Sequence, residues 1–476
     1  MSTVHMIRFD SMPWPCRVEI ERSIVTLHRL VNHSGQVGIA YPLAEYGELA
    51  LRTGTLPERM DPYSLPIELA RGTLDRLRNQ LFNWRDGGLQ ITSEVDEATN
   101  LATDALAEAV LIPEDFERQT ELAQTALSLS LRGIFALCQQ FSRQVTAMRR
   151  EDIEPCTKLG VRVAPHHVPT DWLSQLGTDF KYVCVTDQLK PRDLPADQRS
   201  AGVVLQTQAA KQNFKTIVGP IWDAGKAGLP DQINDIAHFE TKRTAAKQHF
   251  VQLLNQIEEQ PDWLYVASGL NGIGHKFLSY PQQMQIAIDL LQTVDEFNRQ
   301  VPVLLSLDHP WSERLAWSVG GAQGLQIADI LLRHDVRLNA LGLEINLDYW
   351  PLGSLPRDPL QWLELIDCWA QFGLPLFLFI RIPSGRLPTE LENDKNNPIR
   401  NSFSGPQKWR YVDTVMSVAL SRPFVHAVIW NDWKDEPESA FPLAGLFDEQ
   451  GNRKPIFSLL TTVYQRLASP ASESAD

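Results

Sequence analysis

At 476 residues the chain is too long for one ordinary compact domain, so two domains are expected. Its 43% hydrophobic and 21% charged residues are a globular composition with ample apolar material for cores. A formal net charge of -14 disfavours nucleic acid and anionic membranes as partners and leaves neutral or cationic ligands, although such a charge also serves solubility alone.

The elements read as follows in chain order. Met1 to Pro15 lacks a basic segment followed by an apolar one, so no secretory signal is expected. From Arg17 to Arg52 short strands are predicted. Val18 and Ile20 alternate with charge, Ile24–Leu30 is rich in β-branched residues, Asn32-His33-Ser34-Gly35 is a turn cluster, and Gln36–Tyr41 begins another strand. After Pro66 the period becomes helical, with Leu74, Leu77 and Leu81 on one face and Arg71, Asp75 and Arg78 on the other. Ser93-Glu94-Val95-Asp96 opens an Ala-rich helix, and a long helix follows Pro113. Residues 1–150 are therefore expected to form a smaller α+β domain, without a recognisable motif.

The rest alternates between apolar segments of strand length and helical segments. The predicted strands are Gly160–Ala164, Tyr182–Val185, Thr216–Ile221, Trp263–Ala267, Val303–Leu307, Leu341–Leu347, Leu376–Ile382 and Ala427–Trp430. Continuous Val/Ile/Leu runs suit parallel strands covered on both faces. The fold class expected is α/β, a (β/α)₈ TIM barrel over residues 155–468 preceded by the smaller domain, with 469–476 a disordered tail. A doubly wound open sheet is the alternative. The absence of a Gly-rich turn after the first strand, where Val163-Ala-Pro-His-His stands, disfavours it.

The five cysteines, Cys16, Cys138, Cys156, Cys184 and Cys368, are far apart and form no CxxC pair, which suits free thiols in a reducing compartment. The longest apolar run, Leu374–Ile380, is strand length, far below the roughly 20 residues of a membrane span. A cytoplasmic protein is the default expectation. His166 and His167 are adjacent on a strand end and point to opposite faces, and no HExxH is present, so no metal is expected. No GxxxxGK[ST] or GxGxxG occurs, and no cofactor is expected.

Chemistry in such barrels sits at the C-terminal ends of the strands. These ends carry His166 and His167, Asp187, Trp222 and Asp223, Asn271, Asp308-His309-Pro310-Trp311, Glu344 and Asn346 with Asp348-Tyr349-Trp350, Arg381, and Trp430-Asn431-Asp432-Trp433. Sugars present apolar CH faces and in-plane hydroxyls, which suit flat aromatic platforms beside amides and carboxylates. The candidate sugar-contacting residues are Trp222, Asp223, Asn271, His309, Trp311, Asn346, Trp350, Trp430, Asp432 and Trp433. For each tryptophan, packing at the barrel mouth is an equal alternative.

On these residues the chain resembles the family 10 glycoside hydrolases, the endo-β-1,4-xylanase family, over roughly Leu159–Leu467. Val218-Gly-Pro-Ile-Trp222 with Leu229-Pro-Asp231 looks like that family's third-strand motif. Val428-Ile-Trp-Asn-Asp-Trp433, with Asp448 and Lys454-Pro455, looks like its eighth strand and closing helix. Trp263 opens a fourth strand as in the xylanases. The resemblance implies a TIM barrel acting on a β-linked oligosaccharide of xylan type.

The departures fall on the chemistry. The family's Asn-Glu pair at the end of strand four, whose Glu is the acid/base, aligns with Ala267 and Ser268, and strand seven, where the nucleophile belongs, has no carboxylate between Asp367 and Glu390. Glu344, a charge inside an apolar strand, is the candidate relocated catalytic residue, with Asp308 on the preceding strand as its partner. The bland alternative is a structural Glu bonded to Arg381 or a neighbouring backbone group. Three functions fit these residues to different degrees: a hydrolase using Glu344 and Asp308, a sugar-binding barrel without catalysis, and an unrelated barrel enzyme such as an aldolase. The third lacks its strand-end Lys or phosphate loop. The sequence leaves the sugar, the linkage and the oligomeric state open.

Overall fold

The computed structural model describes residues 3–8, 12–29, 31–149, 157–165, 168–169, 171–186, 196–225, 228–257, 259–272, 278–316, 323–385, 397–436 and 438–468. Predicted His166, His167, Asp187 and the tail 469–476 lie outside them.

The eight predicted strands are all present and form one closed parallel barrel. In order they are Lys158–Val163, Phe180–Val185, Lys215–Val218 continued by Trp222–Asp223, Trp263–Ser268, Val303–Asp308, Ala340–Asn346, Leu376–Arg381 and Val425–Trp430. Each pairs with the next, strand eight pairs with strand one, and strand four pairs with strand three through Trp263–Ile217 and Leu264–Val218. The third strand breaks at Gly219-Pro220. Gly219 has φ +132°, and a Cβ there would lie 2.0 Å from the Tyr265 carbonyl oxygen, so only glycine fits this corner.

The alternation of strand side chains divides the barrel into two cores. Inward positions such as Tyr182, Cys184, Ile217, Tyr265, Leu304, Phe377, Phe379 and Ile429 fill the lumen. Outward positions such as Val161, Val183, Leu305, Leu343 and Leu378 pack under the helices. Local signals set those helices. Gln282 Oε1 accepts from Ser279 N (2.9 Å) ahead of Tyr280–Phe297, and Gln407 Oε1 accepts from Ser404 N (2.8 Å) ahead of Gly405–Ser421. Asp358 accepts from Leu360 N and Gln361 N to cap Pro359–Ala370.

The first part holds a four-stranded antiparallel sheet in the order Pro13–Trp14, His5–Ile7, Gln36–Leu43, Gly47–Arg52. A separate hairpin (Arg17–Glu21, Ile24–His28) and three helices, Leu65–Asp86, Ser93–Leu111 and Phe116–Arg149, complete it. Its sheet lies against the loops that follow barrel strands five to seven. Glu48 N donates to Ser402 O (2.7 Å), Ala50 N to Pro356 O (2.7 Å), and Gln361 Nε2 to Ala50 O (2.9 Å). Arg76 forks onto the buried Asp358 at 3.2 and 2.8 Å. The large apolar core runs without a break from Leu49, Leu77 and Leu131 into Val412 and Leu420 of the barrel.

Candidate ligand site at the barrel mouth

The site is built where the inward-facing positions change from apolar to charged. Low in the lumen, Trp263 and Phe377 meet edge to face with ring centroids 4.9 Å apart, and Tyr182 OH lies 2.7 Å from His426 Nε2. One layer up, Tyr265 stacks on Phe379 at 5.3 Å. The Arg162 guanidinium lies 4.6 Å from the Phe379 ring centroid. Above them are Glu344, Asn346, Arg381, Asn431 and Asp432.

Glu344 is the centre of this layer. Its Oε1 accepts from Arg162 Nη2 (2.7 Å), Tyr265 OH (2.9 Å) and, more weakly, Ser306 Oγ (3.4 Å). Its Oε2 accepts from Asn431 Nδ2 (2.7 Å) and lies 3.7 Å from Arg381 Nη1. Ser306 and Tyr265 are also bonded to each other. Arg381 turns its other edge to Asp432, with Nε 2.6 Å and Nη2 3.3 Å from the carboxylate, and donates from Nη1 to Asn346 Oδ1 at 3.0 Å. The chain Arg162–Glu344–Arg381–Asp432 thus alternates in sign and balances its charge.

Burial pushes the Glu344 carboxyl up, but Arg162, then Arg381, outweigh it and hold the group below the usual carboxylate range. Arg162 itself is desolvated, yet Glu344 keeps it charged, well above its ordinary value. Burial, reinforced by Glu344, raises the Tyr265 hydroxyl far above the usual phenol. A general acid needs the opposite shift. Glu344 is 4% exposed, and both of its oxygens face donors, which favours the anion.

The proposed sites fall into three groups. Glu344, Asn346 and Asp432 come together through Arg381. Asp308 stands level with Glu344 in the register of strands five and six, and Asn271 clamps its backbone, Oδ1 accepting from Asp308 N at 2.8 Å and Nδ2 donating to Asp308 O. Asp223, half-buried, accepts from Gly225 N (3.1 Å) on the rim. The tryptophans are mostly packing elements. Trp222 is 2% exposed against Phe250, Trp430 is buried with Nε1 donating to Ala444 O, Trp433 stacks on Phe447 at 4.4 Å, and Trp350 packs with Ala40 and Ala50 under the first sheet. Trp311 is half-buried, edge-on to Trp362. His309 is buried at a positive φ of 46°.

Sequence reasoning passed over Arg162, Tyr265 and Ser306, and placed Asn431 at its strand end without making it a candidate. Arg162 carried the signal that singled out Glu344, a charge at alternate spacing inside the apolar strand Lys158–Val163. It also passed over Glu313. This residue is fully buried, 2.9 Å from Arg357 Nη2, and accepts from Ser354 Oγ at 3.2 Å. His5 of the first sheet adjoins that pair. Burial and then Arg357 lower its pKa to about 4. Among the described residues no group of three or more His, Cys, Asp or Glu is placed to hold a metal, and no helix is long and apolar enough to cross a membrane.

Fold and site together define a closed parallel (β/α)₈ barrel with a charge-balanced polar mouth. No protein-family model and no curated protein matches the sequence. Among solved structures the chain is similar to family 10 xylanases. Native xylanase 10B from Thermotoga maritima is 13% identical, over 68% of this chain and 98% of that one, with a TM-score of 0.48. Xylanase 10B from Thermotoga petrophila RKU-1, in complex with xylobiose, is 12% identical over 69% and 98%, with a TM-score of 0.48. The intracellular xylanase of Thermoanaerobacterium saccharolyticum JW/SL-YS485 is 13% identical over 67% and 97%, with a TM-score of 0.47.

Proposed function

We propose that this barrel binds a short β-linked oligosaccharide at its mouth and does not hydrolyse it. The observation that carries the reading is the state of Glu344. Of the two carboxylates offered for catalysis, Glu344 accepts from Arg162, Tyr265 and Asn431 within 2.9 Å and is nearly inaccessible. Hydrolysis with retention needs a free nucleophile and a protonated acid about 5–5.5 Å apart. Binding needs less. Asp223, Asn271 and Trp311 keep partial exposure at the rim, and a partly exposed Asp432 borders the Arg381 fork. These are in-plane acceptors and donors of the kind that sugar hydroxyls use.

One observation favours the catalytic reading, in which Glu344 and Asp308 act as a relocated pair. Their Cα positions are register partners on adjacent strands, and such strands lie about 4.8 Å apart. Calorimetry with xylo-oligosaccharides and cello-oligosaccharides, beside a hydrolysis assay on the same ligands and on aryl β-xylosides, separates the two. The expected result is saturable binding without turnover. Turnover that disappears in both Glu344→Gln and Asp308→Asn would establish the catalytic pair. Absence of both binding and turnover would remove the sugar reading.

A further inference from the structure

The second helix of the first part, Ser93–Leu111, turns an unusual face outward. Glu97, Leu101, Asp104, Glu108 and Leu111 recur at spacings of four and three, which places them on one stripe. All five are exposed, Leu101 at 44% and Leu111 at 78%. Phe116, at the start of the following helix, extends the apolar surface at 69% exposure. The opposite face, Val95, Ala98, Ala102 and Ala109, is buried.

Charge on this helix is of one sign. No Lys or Arg occurs between Ser93 and Glu117. Glu94 and Asp96 are drawn to Arg132 and Arg85 of the neighbouring helices, and Glu108 has Arg118 at 3.7 Å. Among the described residues, Glu97 and Asp104 meet no cation. The last turn of the helix carries no basic residue, so the negative end of its dipole adds to the same field. Large exposed apolar side chains inside such a field are a docking signature rather than a solvated surface.

We infer that this stripe docks a basic amphipathic helix of another protein, its apolar residues covering Leu101, Leu111 and Phe116 and its Lys or Arg residues meeting Glu97, Asp104 and Glu108. A second copy of this chain is disfavoured as occupant, because a two-fold contact would set the acidic stripe against itself. The inference is independent of the barrel's ligand.

The test uses the full chain and a synthetic Leu/Lys amphipathic helical peptide, with a Leu/Glu peptide of the same pattern as control, read by fluorescence anisotropy. Binding of the Leu/Lys peptide alone is expected. It should weaken about ten-fold in Leu101→Gln/Leu111→Gln, which leaves every charge in place, and further in Glu97→Lys/Asp104→Lys. All four positions are exposed, so folding should be unchanged by circular dichroism. Equal affinity of the peptide for wild type and the Leu101→Gln/Leu111→Gln variant would overturn the proposal, because attraction to the overall negative charge would then explain the binding. So would equal binding of the Leu/Glu peptide, or no binding of either.

Discussion

The two ends of the barrel lumen are filled by the same inward positions of the same strands, yet by opposite chemistry. The lower end is aromatic: Tyr182 and Trp263 meet Phe377 edge to face, and His426 is tilted against it. The upper end spends equally complete burial on Arg162, Glu344 and Arg381. Packed phenyl and indole rings stabilise by area and contact and carry no titrating group, whereas burial lowers the pKa of His426 among them. Buried ions stabilise little in net terms, because desolvation offsets their attraction, but losing one partner is costly. The lower end is thus built for cohesion, and the upper end for a fixed arrangement of charge facing the mouth.

The largest expected effect breaks the charged end. Arg162→Met leaves Glu344 buried without its nearest cation and should lower stability by about 3–5 kcal/mol at neutral pH, measured by urea denaturation. Arg162→Met combined with Glu344→Leu should cost less than Arg162→Met alone, since no isolated charge remains. The pH dependence follows from the direction of the Glu344 shift. Its folded pKa is lowered, so its contribution is present above the ordinary carboxylate range and is lost as pH falls toward the lowered value. Without Arg162, Glu344 protonates more readily, and the penalty of Arg162→Met should shrink in acid.

A second effect concerns the junction with the first sheet. His5 titrates at about 4 in the fold against 6.5 when free, so the unfolded chain takes up the proton first. Its neutral burial costs nothing above pH 6.5 and lowers stability progressively from pH 6.5 to 4, by on the order of 3 kcal/mol. The stability of His5→Leu relative to wild type should therefore rise as pH falls through that window. A constant difference would place His5 in a more solvated setting. Next in size, Phe377→Leu at the aromatic end should cost about 1–2 kcal/mol at pH 8. Smallest, Arg85→Ala removes an exposed pair with Asp96 and should change stability by less than about 1 kcal/mol.

The barrel was legible because each strand is a continuous apolar run bounded by helical spacing. The strand order then follows from eight such repeats. The first part was legible as a small sheet with helices, from turn clusters and period. His5–Ile7 and Pro13–Trp14 were not, because a strand of three residues and one of two carry no pattern. The charged mouth was half legible. Glu344 stood out as a charge within Leu-Glu-Ile-Asn, and Arg381 or a neighbouring backbone group was its expected structural partner. Arg162 is 182 residues away, and no local pattern joins the two. The tryptophans show the limit from the other side: residues at strand ends follow from register, but whether a ring faces the lumen or the helices depends on one position of alternation. Trp430 faces outward, while Asn431 beside it reaches Glu344.

Glu344 is proposed to serve as a structural anion rather than a catalyst. The most direct test of this proposal is Glu344→Gln, measured for stability and for turnover of aryl β-xylosides against wild type. The expected result is no turnover in either protein and a loss of about 3 kcal/mol in the variant, in which the buried Arg162 has lost its counter-charge while Arg381 keeps Asp432. Turnover in wild type that vanishes in a variant of unchanged stability would contradict it.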